Sequence, residues 1–219
     1  DILQDAIIKK YKAKSSRKLF TERDLRYNPG EFQQEYPVVL STTFSSVTSL
    51  GKDAIFDYVI MDEASQVDVA TGALAMSTGR NAIIVGDCKQ LPNVVPPAEK
   101  EKSELIFAQY KVNAAYKYVN SFLKSIIEIM PKVPQVTLRE HYRCHPKIID
   151  FCNKKFYNNE LLIMTKDNGE EDVLKAIRTV EGNHARGREN QREVDSIQQE
   201  ILPGLDIDHK EIGIISPYR

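Results

Sequence analysis

The sequence predicts an α/β fold in which parallel strands alternate with helices. Short apolar runs rich in β-branched residues stand at 38–40, 56–61 and 82–85, and polar residues or glycine follow each of them. Such runs are typical of parallel strands that are buried on both faces of a sheet. Small apolar residues recur at helical spacing over 67–77, between the second and third runs. The order strand, helix, strand is typical of parallel sheets flanked by helices.

The bulk composition is that of an ordinary globular protein. Of the 219 residues, 42% are hydrophobic and 28% are charged, and the formal net charge of -1 gives no global indication of a polyanionic partner. The local exception is the segment 9–18, which contains six cations and no acid. A polyphosphate partner would suit this basic segment, although a solvated helix face explains it more simply.

Cysteine usage and hydropathy bear on the compartment. Three cysteines without regular spacing argue against a disulfide framework and predict a reducing, cytoplasmic location. The sequence has no apolar run of the roughly 18 residues that a membrane span needs, so we predict no transmembrane segment. The first residue is Asp1 rather than Met, and we expect the chain to be a piece of a longer protein.

Changes in pattern divide the chain into three parts. Residues 1–35 are predicted to form a basic helical arm or insertion, and residues 36–130 the C-terminal part of a first α/β domain. Pro131 and Pro134 punctuate the chain before a new strand–helix series begins, so residues 131–219 are predicted to be the N-terminal part of a second domain. Further strands are predicted at 136–138, 176–180 and 212–215, and further helices at 98–130, 147–157 and 193–202.

The strongest chemical signal is a pair of adjacent carboxylates at the end of a predicted strand. The apolar run 56–61 is followed by the letters DEASQ, which begin with Asp62 and Glu63. Ligands of open parallel sheets bind at the carboxyl ends of the strands, where one acid can hold Mg²⁺ and the next can polarise an attacking water. A helix cap at the strand end explains an isolated acidic pair equally well.

Three further motifs follow in order along the chain. Residues 86–92 read GDCKQLP and again place a polar turn after a strand, with Gln90 available to donate to a phosphate. Residues 138–146 read LREHYRCHP, in which an arginine could reach a phosphate as an arginine finger does. Residues 212–219 read IGIISPYR, a strand that ends in hydrogen-bonding and aromatic residues.

Together the four motifs closely resemble those of superfamily 1 helicases, in this order and at family-like spacing over residues 36–219. The resemblance is greatest to the 5′-to-3′ branch, 1B, which includes the nonsense-mediated-decay RNA helicases and related AAA-type DNA helicases. It implies a RecA-like P-loop NTPase fold, parts of two tandem domains, and an enzyme that couples ATP hydrolysis to movement on single-stranded nucleic acid. The implied cofactors are ATP and Mg²⁺, and DNA is favoured over RNA as the partner.

The resemblance also implies a role for each matching residue. Asp62, as the Walker B acid, would hold the Mg²⁺ of MgATP largely through water, and Glu63 would be the general base. Gln90 would sense the γ-phosphate, and Arg143 would be the finger supplied by the second domain. The other implied nucleotide-binding residues are Tyr142, near the adenine or ribose, and Asp87. The implied nucleic-acid contacts are Ser41, Thr42, Thr43, Pro92, Asn93, Val94, Ser216, Pro217 and Tyr218.

The phosphate-binding loop of the family is missing from these 219 residues. The pattern GxxxxGK[ST] does not occur, and the one Gly-Lys pair, at residues 51–52, is followed by Asp53 and lacks the first glycine. In the family this loop lies upstream of the position of Asp1. We therefore predict that the chain by itself hydrolyses no ATP.

Three alternatives stay open. The main rival is a RecA-like scaffold that holds nucleic acid or a protein without turnover, and a further possibility is a motor that serves a fused nuclease. His141, Cys144, His145 and Cys152 could also be zinc ligands, but their spacing is not that of a zinc finger and neighbouring cations disfavour a metal.

Overall fold

The computed structural model describes residues 2–11, 18–49, 51, 54–171, 173–181, 185–187 and 189–216. The chain divides into two compact units, Asp1–Leu138 and Arg139–Arg219. The first unit contains α1 (Ile2–Tyr11), α2 (Glu22–Tyr27), α3 (Pro29–Glu35), β1 (Phe56–Met61), α4 (Val69–Met76), β2 (Gly79–Ile84), α5 (Pro97–Tyr110) and α6 (Phe122–Ile129). The second contains β3 (Glu140–His141), α7 (Pro146–Phe156), β4 (Leu162–Ile163), β5 (Ala185–Arg186), β6 (Glu189–Asn190) and α8 (Gln191–Asp195), which continues as a π-helical turn over Ser196–Ile201.

The centre of the first unit is a parallel pair of strands joined by a helix. Strands β1 and β2 run in parallel with Phe56 opposite Gly79 and Met61 opposite Ile84, and α4 connects them. The ladder continues past the strands, because the amide of Val85 donates to the carbonyl of Met61 at 2.8 Å. The prediction of an α/β fold with a parallel sheet is therefore confirmed, and the carboxyl ends of the two strands lie side by side.

A small apolar core covers one face of this sheet. Its buried members are Met61, Ala64, Ala75, Phe122 and Leu123. Helix α4 approaches α6 so closely that a Cβ atom at Gly72 would lie 2.3 Å from the Phe122 ring, so only glycine fits there. The packing of α4 and α6 therefore supports the strand ends from one side.

The other face of the sheet is open to solvent. Tyr58 and Ile60 on β1 are 62% and 68% exposed, and Ile83 on β2 is 47% exposed. The apolar runs predicted strands that are buried on both faces. The described residues instead cover one face of β1 and β2.

The apolar runs at 38–40, 136–138, 176–180 and 212–215 do not form strands, so these four predictions are wrong. Among the described residues none of these runs pairs with a neighbouring strand, and Leu40, Leu138 and Ile215 are 93%, 82% and 97% exposed. A strand needs a partner ladder to satisfy its backbone groups, so an apolar run without such a partner stays irregular.

The helix predicted over 98–130 is two helices rather than one. Helix α5 ends where Lys111 adopts a left-handed conformation, with a φ of 49°. The side chain of Asn113 then accepts from the amide of Ala115, and Ser121 caps α6 by accepting from the amide of Lys124. These polar side chains compete for backbone groups and so interrupt the helix.

The second unit is built around α7. Strand β3 pairs in parallel with β4, and α7 begins at Pro146, which confirms the helix predicted at 147–157. The buried side chain of Asn153 ties α7 to the chain before β4, since it donates to the carbonyl of Leu161 at 3.2 Å and accepts from its amide at 3.0 Å. The helix predicted at 193–202 is present as α8 and its π-helical continuation.

The longest helix in the described part of the chain is α5, with 14 residues. Among the described residues, no helix has both the length and the hydropathy that a bilayer span requires.

Candidate functional site

Two turns at the strand ends lie against each other. The first turn, residues 62–66, follows β1, and the second turn, residues 85–90, follows β2. A Cβ atom at Gly86 would lie 3.1 Å from the backbone nitrogens of Ala64 and Ser65, so glycine allows the close approach of the two turns. The amide of Ala64 donates to the carbonyl of Val85 at 2.9 Å and ties the turns together.

The first turn presents two carboxylates to solvent. The backbone of Glu63 is left-handed, with a φ of 53°, which is uncommon for a residue other than glycine. Its amide donates to Oδ1 of Asp62 at 2.8 Å, and its Oε2 accepts from Nε2 of Gln66 at 3.2 Å. Oδ2 of Asp62 and Oε1 of Glu63 accept no hydrogen bond from the described residues. Each carboxylate therefore keeps one oxygen available for a ligand or a water.

The donor chemistry of the first turn fits a hydrated magnesium ion. Mg²⁺ is usually held by one or two carboxylates together with waters and substrate phosphates. Asp62 supplies one exposed carboxylate with a free oxygen at the end of a parallel strand. It can hold such an ion through water, and phosphate oxygens would have to complete the coordination.

The second turn is shaped by Asp87. Its Oδ1 accepts from the amide of Lys89 at 2.8 Å, and its Oδ2 accepts from Nε2 of Gln90 at 3.1 Å. Both oxygens are thus used inside the turn, where they orient the side chain of Gln90. Partial burial, and then the charge of Asp87, raise the pKa of the Cys88 thiol, so this cysteine is not an activated nucleophile.

An open cleft of about 370 Å³ lies where the turns meet. It is lined by Gln66, Lys89, Gln90, Leu91 and Pro92. The lining therefore combines two side-chain amides and an ammonium group with two apolar side chains, and the polar groups suit an anionic or polar ligand.

The two predicted nucleic-acid segments of the first unit are accessible in part. Ser41 and Thr42 are exposed, Thr43 is half-buried, and the hydroxyl of Thr42 accepts from the amide of Ser45 at 3.2 Å. Pro92 lines the cleft, and Val94 is 83% exposed. Asn93 lies between these two and is half-buried, and its backbone N–H donates to the carbonyl of Ser65 at 3.0 Å.

In the second unit, the predicted nucleotide-binding side chains are exposed. The hydroxyl of Tyr142 donates to Oε2 of Glu140, and this hydrogen bond raises the pKa of Tyr142. Arg143 has no hydrogen bond or ion pair with any described residue, so its guanidinium is available to an anion. Ser216 is also exposed, whereas Pro217 and Tyr218 lie outside the described residues.

One group in the second unit has the composition of a metal site. Ligand atoms of His145, Asp167 and Glu170 lie within 4.8 Å of one another. However, Nζ of Lys147 donates to the Glu170 carbonyl at 2.6 Å and lies 3.7 Å from Oδ2 of Asp167. The ammonium group of Lys147 therefore already supplies positive charge to these carboxylates. The group contains His145 but neither Cys144 nor Cys152, and it gives the zinc alternative no support.

The same group fastens residues 167–170 to the start of α7. Nε2 of His145 lies 3.3 Å from Oε2 of Glu170 and 3.5 Å from Oδ1 of Asp167. Hydrogen bonds lower the pKa of Glu170 to about 2, and the one from the side chain of Asn168 has the largest effect. This carboxylate is therefore ionised throughout the neutral range and acts as a structural anchor.

Sequence reasoning gave Gln66 no role, although it is the last residue of DEASQ. The structure places its amide on Glu63 and its side chain in the cleft. A signal was present in the sequence, because Asp87 and Gln90 have the same spacing of three residues and form the same contact.

Comparisons with known proteins give the chain its relatives. Residues 4–96 match the family described as an AAA domain. The chain is 29% identical over 194 residues to the uncharacterized ATP-dependent helicase MG140 of Mycoplasma genitalium, an alignment that covers 82% of this chain and 16% of that protein. It is 27% identical over 177 residues to the uncharacterized ATP-dependent helicase MJ0104 of Methanocaldococcus jannaschii, with 81% and 22% covered.

A third relative is the putative ATP-dependent RNA helicase ECM32 of Saccharomyces cerevisiae, which is 32% identical over 186 residues with 73% of this chain and 14% of that protein covered. The chain thus spans less than a quarter of the length of these relatives. The longer alignments cover more residues than the first unit contains, so they extend into the second. The AAA-domain match and these relatives together show that the chain is similar to ATP-dependent helicases, and its parallel α/β fold agrees with a RecA-like P-loop NTPase fold.

Proposed function

We propose that the chain is the central part of a superfamily 1 helicase of the 1B branch, whose parent protein couples ATP hydrolysis to movement on single-stranded nucleic acid. The observation that carries this proposal is the contact between the two strand-end turns, which brings the turn with Asp62 and Glu63 next to the turn with Gln90. In the proposed domain plan, residues 36–130 and 131–219 belong to two RecA-like domains, and residues 1–35 form an arm or insertion.

The proposed chemistry distributes three roles over the two turns. A bound Mg²⁺ would supply charge neutralisation at the β- and γ-phosphates. Asp62 would hold that ion through water, since one of its oxygens is free. Glu63 would orient the attacking water and accept its proton on Oε1, while Gln90, held by Asp87, would donate to the γ-phosphate.

The second domain would supply positive charge and a ring. The guanidinium of Arg143, which has no partner among the described residues, suits the negative charge that develops on the phosphate in the transition state. Tyr142 would stack near the adenine or ribose, and its exposed ring supports this role. These assignments rest on the family resemblance together with the exposure of both side chains.

The proposed nucleic-acid contacts come from both units. They are Ser41, Thr42, Thr43, Pro92, Asn93, Val94, Ser216, Pro217 and Tyr218. Hydroxyl and backbone groups of this kind contact the phosphate–sugar backbone and give little sequence preference. DNA is the proposed track, whereas the yeast relative is named a putative ATP-dependent RNA helicase. We place the protein in a reducing, cytoplasmic compartment, in keeping with three free thiols.

The test is ATP hydrolysis by the chain and by a longer version of the protein that includes a phosphate-binding loop. Since the 219 residues contain no such loop, we expect no turnover from the chain alone. The longer protein should hydrolyse ATP, faster with one single-stranded nucleic acid than with the other, and Glu63→Gln should remove that turnover.

A non-hydrolysing scaffold is the second candidate, and a degraded phosphate-binding motif upstream of these residues would favour it. In that case the longer protein would bind single-stranded nucleic acid but show no turnover that depends on Glu63. The intact pair of carboxylates and the free Arg143 argue for the motor, because a scaffold has no use for them.

A further inference from the structure

The two strand-end turns repeat one arrangement. In each, an acid accepts a hydrogen bond from the amide of a glutamine three residues later, at 3.2 Å for Glu63 and Gln66 and at 3.1 Å for Asp87 and Gln90. Both glutamines line the same cleft. The second glutamine is the proposed phosphate sensor, and the first has no assigned role.

Core packing fixes the backbone of the first turn but leaves the Glu63 side chain free. Ala64 and Ser65 are buried, at 0% and 2% exposed, whereas Glu63 is exposed. Among the described residues, the amide of Gln66 is the one donor to the Glu63 carboxylate. An exposed glutamate without that contact would populate several rotamers.

We propose that Gln66 is a positioning residue for the general base, an inference that rests on the proposed function. Its amide holds Oε2 of Glu63 and leaves Oε1 to face the attacking water. The water oxygen then bonds to the γ-phosphorus, the bond from that phosphorus to the β,γ-bridging oxygen breaks, and the proton passes to Oε1. A neutral amide suits this task, because it orients the carboxylate without neutralising it as a lysine would.

The experiment uses the longer protein that includes its phosphate-binding loop. Gln66→Leu removes the donor, and we expect kcat for ATP hydrolysis to fall about tenfold while KM for ATP changes less than about twofold, because positioning acts on the chemical step. Gln66→Glu keeps the size of the side chain but places a like charge against Glu63, so kcat should fall further than in Gln66→Leu.

The control is Gln191→Leu, which removes a similar exposed amide–carboxylate hydrogen bond, from Gln191 to Asp195 at 2.8 Å. It should leave kcat unchanged. Thermal unfolding of all three variants should match that of the natural protein, since Gln66 is exposed. A purely structural role for Gln66 would make the isosteric Gln66→Glu milder than Gln66→Leu, which would overturn the proposal.

A double variant separates this inference from the proposed function. If Gln66 acts through Glu63, then Gln66→Leu should cause no further loss in a Glu63→Gln protein. The inference alone would be overturned if ATP turnover by the natural protein depended on Glu63 but its kcat were unaffected by Gln66→Leu. A protein whose turnover does not depend on Glu63 would overturn the proposed function and the inference with it.

Discussion

The motif residues of the two units are held in different ways. In the first unit, Ala64 and Ser65 are buried beneath the carboxylates and lie against Gly86, so the core fixes the turn. In the second unit, Arg143 is exposed and makes no polar contact with the described residues. The backbone that carries the two carboxylates is therefore preorganised by its own unit, whereas the guanidinium has no partner among the described residues and can meet an anion.

The largest loss of activity should follow from replacing Glu63, the proposed general base. In the protein that includes its phosphate-binding loop, Glu63→Gln should lower kcat at least about a thousandfold, because the proton of the attacking water loses its acceptor. Steady-state ATP hydrolysis measures this. Glu101→Gln, which removes an exposed acid on α5, is the matched control and should keep full turnover. Equal rates in the two variants would contradict the role of Glu63.

In the same assay, removing the guanidinium of Arg143 should lower kcat less than removing the carboxylate of Glu63. We expect Arg143→Ala to lower kcat about a hundredfold, because the transition state loses a positive charge, and to leave the stability unchanged, because Arg143 has no described partner. Arg178→Ala removes another exposed arginine of the second unit and should change neither quantity. A loss of stability in Arg143→Ala would show that this side chain is structural.

The contact between the turns should be sensitive to one methyl group. Gly86→Ala would place a Cβ atom 3.0 Å from Leu123 and 3.1 Å from backbone nitrogens that the core holds in place. We expect the free energy of unfolding to fall by about 1–3 kcal/mol, as overpacking usually causes. Urea denaturation measures this. Gly30→Ala is the control, since a Cβ atom at Gly30 would meet nothing within 4 Å. A stable Gly86→Ala protein would mean that the turns can separate without cost.

The smallest effect concerns the anchor at α7. The pKa of Glu170 is about 2 in the folded chain and 4.5 ordinarily, so the folded state favours the ionised form. The difference in pKa stabilises the folded state, and this stabilisation is complete above about pH 4.5 and is lost as the pH falls towards 2. An NMR titration of the Glu170 carboxyl should show the low value, and Asn168→Ala should raise it, because the main hydrogen bond is removed. An unchanged pKa in Asn168→Ala would contradict this cause.

Local sequence predicted the central α/β unit well. The runs that became β1 and β2 lie between polar residues, the segment between them has helical spacing, and the polar turns had to meet once the strands paired. The runs at 38–40 and 212–215 have the same local pattern but no partner strand among the described residues. Pairing is a non-local property, so composition alone could not separate the two cases.

The fine geometry of the site was beyond the sequence for a different reason. Glutamate gives no local signal for a left-handed backbone, and here it directly precedes Ala64, which is fully buried. The contact from Gln66 to Glu63 depends on that backbone. Its spacing was visible in the sequence, but the spacing had meaning only after the turn was known.

The left-handed backbone of Glu63 has an evolutionary consequence. An L-residue in this conformation costs the folded state on the order of 1 kcal/mol, and glycine would not incur that cost. Selection for stability alone would therefore favour Glu63→Gly, whereas the proposed role of Glu63 as the general base would select against it. A library of variants at this position should therefore rank differently by thermal stability and by ATP turnover. Glycine should be the most stable variant, and glutamate should be the most active one.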